Sequence, residues 1–330
     1  MTVKVVQMGL GPIGNKATRY LLERGNLEIV GAIDLDPAKA GKDVAALAGL
    51  NPIGVTVTSD LGQVLGNKKV DVVLLTTTST MAGIVDQLTS LIPYGVNIVS
   101  SCEELSYPWV TQPRMSRLID ELSKKHGVSV LSNGVNPGFL MDFLPLAMTG
   151  VCRTVRQITV ERIQDATFRR IPFQKKIGAG CTQAEFQARV KEGTLRHVGL
   201  TESLHMIAAR LGWKLDRTED LISPILAKHS VKMGQETIEE DQALGVQQIG
   251  RGMVGDKEVI TLFFRAAIGE PESRDRIIID GAPSIDTCIK GGVNGDVATC
   301  AVLVNSIPTV INARPGLRTM ADIEPVSFFQ

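Results

Sequence analysis

Between an apolar run, Val5-Val6-Gln7-Met8, and a helical pattern through Ala17, Tyr20, Leu21 and Leu22 lies a turn carrying Gly9, Gly11 and Gly14. A second apolar run, Leu27 to Ile33, closes on Asp34, twenty residues beyond the third glycine. Three glycines at this spacing are weak evidence by themselves, because turns attract glycine. Set between a strand and a helix, with an acid at the end of the next strand, they predict a βαβ unit that binds a dinucleotide. Gly9 allows the tight turn, Gly11 lets the backbone approach a pyrophosphate, and Gly14 lets helix and strand pack closely. Pro12 and Ile13 open the helix, whose first amides and positive dipole end hold the diphosphate. Asp34 is placed to accept from the adenosine ribose diol and to repel a 2′-phosphate, so NAD(H) is the preferred cofactor. Lys39 and Lys42 follow closely enough to leave NADP(H) as a second option.

Downstream, apolar runs alternate with helical patterns, which predicts an α/β fold: a doubly wound parallel sheet over residues 1–141, buried on both faces. Helices are expected over Asp36–Leu50, Leu61–Leu65, Met81–Leu91 and from about Pro113 to Lys125, and strands near Val55–Val57, Val70–Leu75, Val96–Val99 and Val128–Leu131. Five of the strands end in glycines, hydroxyls, amides or acids. The carboxyl edge of an open parallel sheet is where ligands bind. Thr76, Thr77 and Thr78 would then line a ribose, and Asn136 would sit near a nicotinamide.

Beyond Asp142 the alternation stops, and residues 142–305 are expected to form an α+β domain with a mostly antiparallel sheet. Gln157–Ile163 reads as a strand, and helices are expected near Gln183–Val190 and Val198–Leu211. Gly245–Val254, Glu258–Ala267 and Arg274–Ile279 read as an antiparallel meander. Its outer face would pair with a second subunit in a homodimer. Asn294–Val310 reads as one buried helix, and residues 306–330 return to the nucleotide domain. Phe139 and Phe168, with Leu140, Phe173 and Trp109, are candidates for an apolar wall around the substrate, although core packing is the ordinary role of such residues. Arg169 and Arg170 would either clamp a substrate carboxylate or form a solvated surface pair. His197, at the head of a helix, is either a structural histidine or a pocket residue.

Charge excludes some partners. Lys plus Arg and Asp plus Glu each number 35, so no basic field recruits nucleic acid or an anionic membrane. No apolar run approaches the roughly 18 residues of a bilayer span, and the first strand follows Met1 so closely that no leader is expected, which points to the cytoplasm. The five cysteines are scattered, without metal-ligand spacing, so neither a structural metal nor a disulfide framework is expected.

The loop Cys102-Glu103-Glu104-Leu105-Ser106-Tyr107-Pro108-Trp109 leaves the end of a central strand. Its acids have an ordinary reading as the first turn of a helix, favoured by the dipole. Their functional reading is amine oxidation: as hydride leaves the carbon that bears nitrogen, an iminium cation develops, and a fixed carboxylate stabilises it. The same group can hold ammonia or activate the water that hydrolyses the imine. Cys102 as a thiol nucleophile for acylating aldehyde oxidation is a weaker alternative, since no histidine lies near it in sequence.

GLGPIG, AIDLDPAKAGKD, SSCEELSYPW, NGVNPGF, HVGLTESLHMIAARLGW and NARPGLRTM together resemble the 2,4-diaminopentanoate dehydrogenases and the related native amine dehydrogenases, over nearly the whole chain. The resemblance implies an NAD(P)-dependent amine dehydrogenase that converts an amine to a ketone and ammonia, and the reverse. It assigns the catalytic carboxylate to Glu104, with Glu103 second. Dihydrodipicolinate reductases resemble the N-terminal plan but use a His-His-Lys motif, where this chain reads Glu161-Arg162-Ile163-Gln164-Asp165. Another NAD(P)-dependent oxidoreductase of that kind, or a non-catalytic NADH-sensing protein, are the remaining alternatives.

Overall fold

The computed structural model describes residues 2–66, 69–169, 171–234 and 236–330. The chain divides into two compact units, residues 1–139 with 294–330, and residues 140–293. The boundaries expected from sequence, 141/142 and 305/306, lie two and twelve residues from the unit boundaries at 139/140 and 293/294.

The first unit opens with β1 (Val3–Met8), α1 (Pro12–Leu22) and β2 (Leu27–Ile33). It continues through α2 (Val44–Leu47), β3 (Val57–Thr58), α3 (Leu61–Leu65), β4 (Val72–Leu75), α4 (Met81–Leu91), β5 (Asn97–Ser100), α5 (Pro113–His126) and β6 (Ser129–Ser132). The seven strands of its sheet run β15-β6-β5-β4-β1-β2-β3, all parallel, with β15 (Gly316–Arg318) supplied from the far end of the chain. Central strands such as β4 are buried along their whole length, because helices cover both faces. Val73, Leu75, Ile84, Leu88, Ile98 and Ile119 share one core cluster.

Two expectations fail in this unit. The helix expected over Asp36–Leu50 shrinks to the single turn of α2, preceded by turns. Asp43 stops it growing backwards: its carboxylate accepts from the amides of Ala45, Ala46, Ile53 and Gly54, capping the helix and tying down the following loop. The expected helix Asn294–Val310 is two helices, α10 (Gly295–Asn305) and α11 (Ile307–Asn312). Ser306 ends the first as Pro308 starts the second.

The second unit comprises α6 (Phe143–Met148), β7 (Thr154–Asp165), α7 (Ile171–Lys176), α8 (Gln183–Lys191), α9 (Leu200–Leu211), β8 (Arg217–Leu226), β9 (Val231–Met233), β10 (Glu236–Ile238), β11 (Ala243–Val254), β12 (Lys257–Ala267), β13 (Arg274–Ala282) and β14 (Ile285–Lys290). Its six-stranded sheet is mixed, in the order β14-β13-β7-β12-β11-β8. The meander read from sequence is therefore wrong at one join: β11 and β12 form an antiparallel pair, but β13 pairs with β7, which inserts beside β12 in parallel. Chain neighbours are not sheet neighbours here because β7 arrives about a hundred residues earlier, and its central residues Ile158 and Val160 are too apolar to leave at an edge. Arg162 on β7 and Asp275 on β13 form a buried ion pair at 2.7 Å. α9 covers one face of the sheet, where Leu200 and Leu204 press on Gly250.

Candidate active site

The glycine turn is built from backbone. Gly9 has φ +88, and a Cβ there would stand 2.7 Å from the Thr76 carbonyl oxygen, while one on Gly14 would stand 1.9 Å from the Gly9 carbonyl oxygen. Both positions accept only glycine. Gly11 differs, since its backbone is ordinary and a Cβ there would meet nothing within 4 Å. No contact among the described residues demands glycine at this point, so its missing side chain leaves clear the space before α1. That helix has Gly11 as N-cap with no side-chain cap, and Pro in its first turn. These residues fit a dinucleotide: open room, uncapped amides and the positive end of the helix dipole.

Asp34 stands at the end of β2. Its carboxylate accepts from the Leu10 amide at 2.6 Å and the Asp36 amide at 2.9 Å, and pairs with Lys39 at 3.0 Å. Burial alone would raise its pKa, but the amides of Asp36 and Leu10 and the Lys39 ammonium outweigh that and hold it below the ordinary value. The threonines divide in role. The Thr76 hydroxyl donates to the Gly9 carbonyl at 2.8 Å and accepts from buried Gln7, so it braces the turn from beneath. Thr77 is exposed and donates to Gln87, and Thr78 accepts from the Thr80 amide.

The two glutamates form a single 3-10 turn after β5 and diverge from it. Glu104 turns towards the end of β4: its amide donates to the Ser79 carbonyl, and its carboxylate accepts from the Met81 amide at 2.8 Å, the first amide of α4. Glu103 lines a cavity of about 40 Å³ together with Ser101, Ser106, Asn133, Asn136 and Thr299. Asn136 is thus beside Glu103. Asn133 and Thr299 were not singled out from sequence. Asn133 ends a strand like several other polar residues, and Thr299 reaches the cavity from α10, far along the chain. Cys102 is fully buried; desolvation, with the nearby glutamate charges, pushes its thiol far above the ordinary range and opposes a thiolate nucleophile.

In the second unit Phe168 is 94% exposed and stands with Arg169, Ile171 and Met233 around a cavity of about 560 Å³. Arg169 stacks on Phe173 at 4.1 Å and donates to Gln164; Arg170, its expected partner in a carboxylate clamp, lies outside the described residues. Phe139 is half-buried. The His197 ring packs on Phe264 at 4.3 Å, and its backbone is held by buried Gln248. The residue keeps some exposed surface, but its ring is desolvated; that burial, with the charges of Lys176 and Arg162, pushes its pKa down to about 3. The ring is neutral at neutral pH. Among the described residues there is no cluster of three or more His, Cys, Asp or Glu able to hold a metal, and no helix long and apolar enough to cross a membrane.

Comparison with known proteins adds five findings. Residues 139–328 match the model of the 2,4-diaminopentanoate dehydrogenase C-terminal domain, and residues 3–107 that of the dihydrodipicolinate reductase N-terminus. The 2,4-diaminopentanoate dehydrogenase of Acetoanaerobium sticklandii is 35% identical over 97% of this chain and 93% of its own length. An amine dehydrogenase of Streptomyces virginiae is 24% identical over 97% and 96%. Among solved structures, the amine dehydrogenase from Mycobacterium smegmatis superposes with a TM-score of 0.86 at 25% identity, covering 100% of this chain and 98% of that one.

Proposed function

The chain belongs to the 2,4-diaminopentanoate dehydrogenase family, and on that premise we propose that it is an NAD(P)-dependent amine dehydrogenase, oxidising an amine to a ketone and ammonia and running the reductive amination in reverse. Its substrate class is 2,4-diaminopentanoate or a simple alkylamine. The bound nicotinamide accepts the hydride that leaves the carbon bearing nitrogen. Glu104 supplies the fixed negative charge for the iminium that develops there.

The observation that carries this reading is the Met81 amide on the Glu104 carboxylate. It holds the charge in place at the carboxyl edge of a dinucleotide-binding sheet, and a charge fixed beforehand costs no reorganisation during the reaction. NAD(H) is the preferred cofactor because Asp34 is anchored by two amides and cannot swing away from a ribose diol. Lys39, paired with it, offers a cation for a 2′-phosphate and keeps NADP(H) usable. The working form is a homodimer joined through the sheet face opposite α9. That face carries Leu221, Ile249 and Phe263 in register, flanked by Arg251 with Glu219 and Glu258, and both signs on one patch suit a self-complementary interface.

The test follows NADH consumption with a ketone in the presence and absence of ammonium, and with each cofactor. Turnover only with ammonium supports the reading. In the Glu104→Ala variant turnover falls about a hundredfold or more while NADH binding persists; near-normal turnover would remove Glu104 from the mechanism. For the reductase alternative the family-model match stops at residues 3–107, the N-terminal part of the chain.

A further inference from the structure

Gln7 is a polar residue in an apolar place. It lies in β1, between Leu74 of β4 and Ala32 of β2 in the register of the sheet, and it is fully buried. Its Nε2 donates to the Gly9 carbonyl at 3.0 Å and to Thr76 Oγ1 at 3.0 Å. A carbonyl can only accept, so the nitrogen must face it and the amide has one orientation. That leaves Gln7 Oε1 buried without a hydrogen-bond partner among the described residues, a destabilising state that a methionine or leucine would avoid. Nor do its neighbours need the glutamine for their own pairing. The Gly9 carbonyl also accepts from the Thr76 hydroxyl at 2.8 Å, and the Met8 carbonyl accepts from the Thr76 amide at 2.8 Å. What Gln7 adds is a second restraint on the peptide joining Gly9 to Leu10. The same peptide is held at its other end, where the Leu10 amide donates to Asp34 at 2.6 Å. Gln7 and Thr76 thus fix its C=O, and Asp34 fixes its N–H.

We propose that Gln7 is a positioning residue for the dinucleotide, aiming the amides of the glycine turn at the diphosphate before the cofactor arrives. Gly9, at φ +88, has no Cβ to limit its rotation, so the peptide that follows it is the one in the turn most free to flip. A flipped peptide would swing the Leu10 N–H off Asp34 and redirect the backbone entering Gly11 and the first amides of α1, which meet the diphosphate. Gln7 lies in β1, and Asp34 and Thr76 directly follow β2 and β4. Forming the sheet therefore sets this peptide. Asp34 is also the acid placed for the adenosine ribose diol, so through the Leu10 amide the ribose acid and the diphosphate turn are held as one unit. A site fixed in advance gives up less conformational freedom when its ligand docks. Gln7 is too deeply buried to touch the cofactor and acts through the Gly9 carbonyl. The assignment rests on the dinucleotide-binding reading of this turn.

Titration calorimetry with NADH and with ADP-ribose, alongside thermal denaturation, tests it. Gln7→Met fills much the same space, orphans no carbonyl and removes the unmet oxygen. Its Tm therefore holds or rises while both Kd values increase about fivefold, the fold-change that one neutral hydrogen bond carries. ADP-ribose lacks the nicotinamide, so an equal loss for both ligands places the effect at the diphosphate end. Thr76→Val, without the hydroxyl, weakens both ligands by a similar factor, and Thr76→Ser, which keeps it, restores binding to within about twofold of the unsubstituted protein. Gln7→Met with both Kd values unchanged overturns the proposal. So does a loss of affinity accompanied by a fall in Tm, the mark of a merely structural glutamine. If Gln7→Met does not fold, the Thr76 pair decides: a gap of about fivefold between valine and serine supports the proposal, and equal affinities overturn it. If the unsubstituted protein binds neither ligand, the dinucleotide reading itself fails and the proposal falls with it.

Discussion

The glycine turn and the acidic loop sit on the same edge of one sheet, and they were read from sequence with unequal success. In the turn, the groups that matter are backbone: Gly9 and Gly14 are demanded by carbonyl oxygens that a Cβ would strike, and Gly11 by the space before α1. Spacing along the chain dictates those positions, so the motif carries its own geometry. In the loop, the groups proposed to act are side chains on adjacent residues of a 3-10 turn. Glu104 goes to the Met81 amide and Glu103 to the Asn133 cavity. Spacing does not reveal that divergence, because direction depends on what lies to each side.

The comparison can be broken by substitution. Gly14→Ala should have the largest effect, since its Cβ would sit 1.9 Å from the Gly9 oxygen: a loss of about 3 kcal/mol and a fall in Tm of roughly 10 °C by thermal denaturation. Gly11→Ala, three positions earlier, should leave Tm unchanged and weaken NADH binding roughly tenfold or more by titration calorimetry, because its cost falls on the ligand. Equal Tm losses for the two variants would erase the distinction between packing and ligand glycines.

For the loop, Glu104→Gln should cost about 1 kcal/mol in urea denaturation through loss of a charge at the start of α4, whereas Glu103→Gln should cost nothing measurable. The reverse order would reassign the two side chains. The smallest effect concerns Asp34, the turn's one working carboxylate. Its folded pKa lies below the ordinary 3.8, so its stabilisation is fully present above the unfolded value and is lost as pH falls through the folded one. Asp34→Asn should therefore be less stable by up to about 1 kcal/mol at pH 7, with the deficit closing below pH 3.8 in a denaturation series. A deficit that persists in acid would mean that the carboxylate charge is not what the Leu10 and Asp36 amides bind.

Legibility followed the range of the interactions. Helices with local signals, such as Met81–Leu91 with its Thr80 cap and α5 with Pro113 at its start, were expected within a residue or so of where they fall. The Asp36–Leu50 segment misled because its alanine and leucine content favours a helix, while Asp43 bonds four amides on both sides of the short α2. His197 was weighed as a pocket residue; only its neighbours show a desolvated neutral ring on Phe264.

Residues 3 to 34 specify a dinucleotide turn without help, because three glycines and an acid act through backbone geometry set within one βαβ unit. Folding had to settle the placing of β7 between β12 and β13, the separate directions of Glu103 and Glu104, and the arrival of Thr299 and Ser306 beside Asn133. Those outcomes join groups from 23 to 173 positions apart, and packing between distant segments leaves no periodic trace in the order of residues.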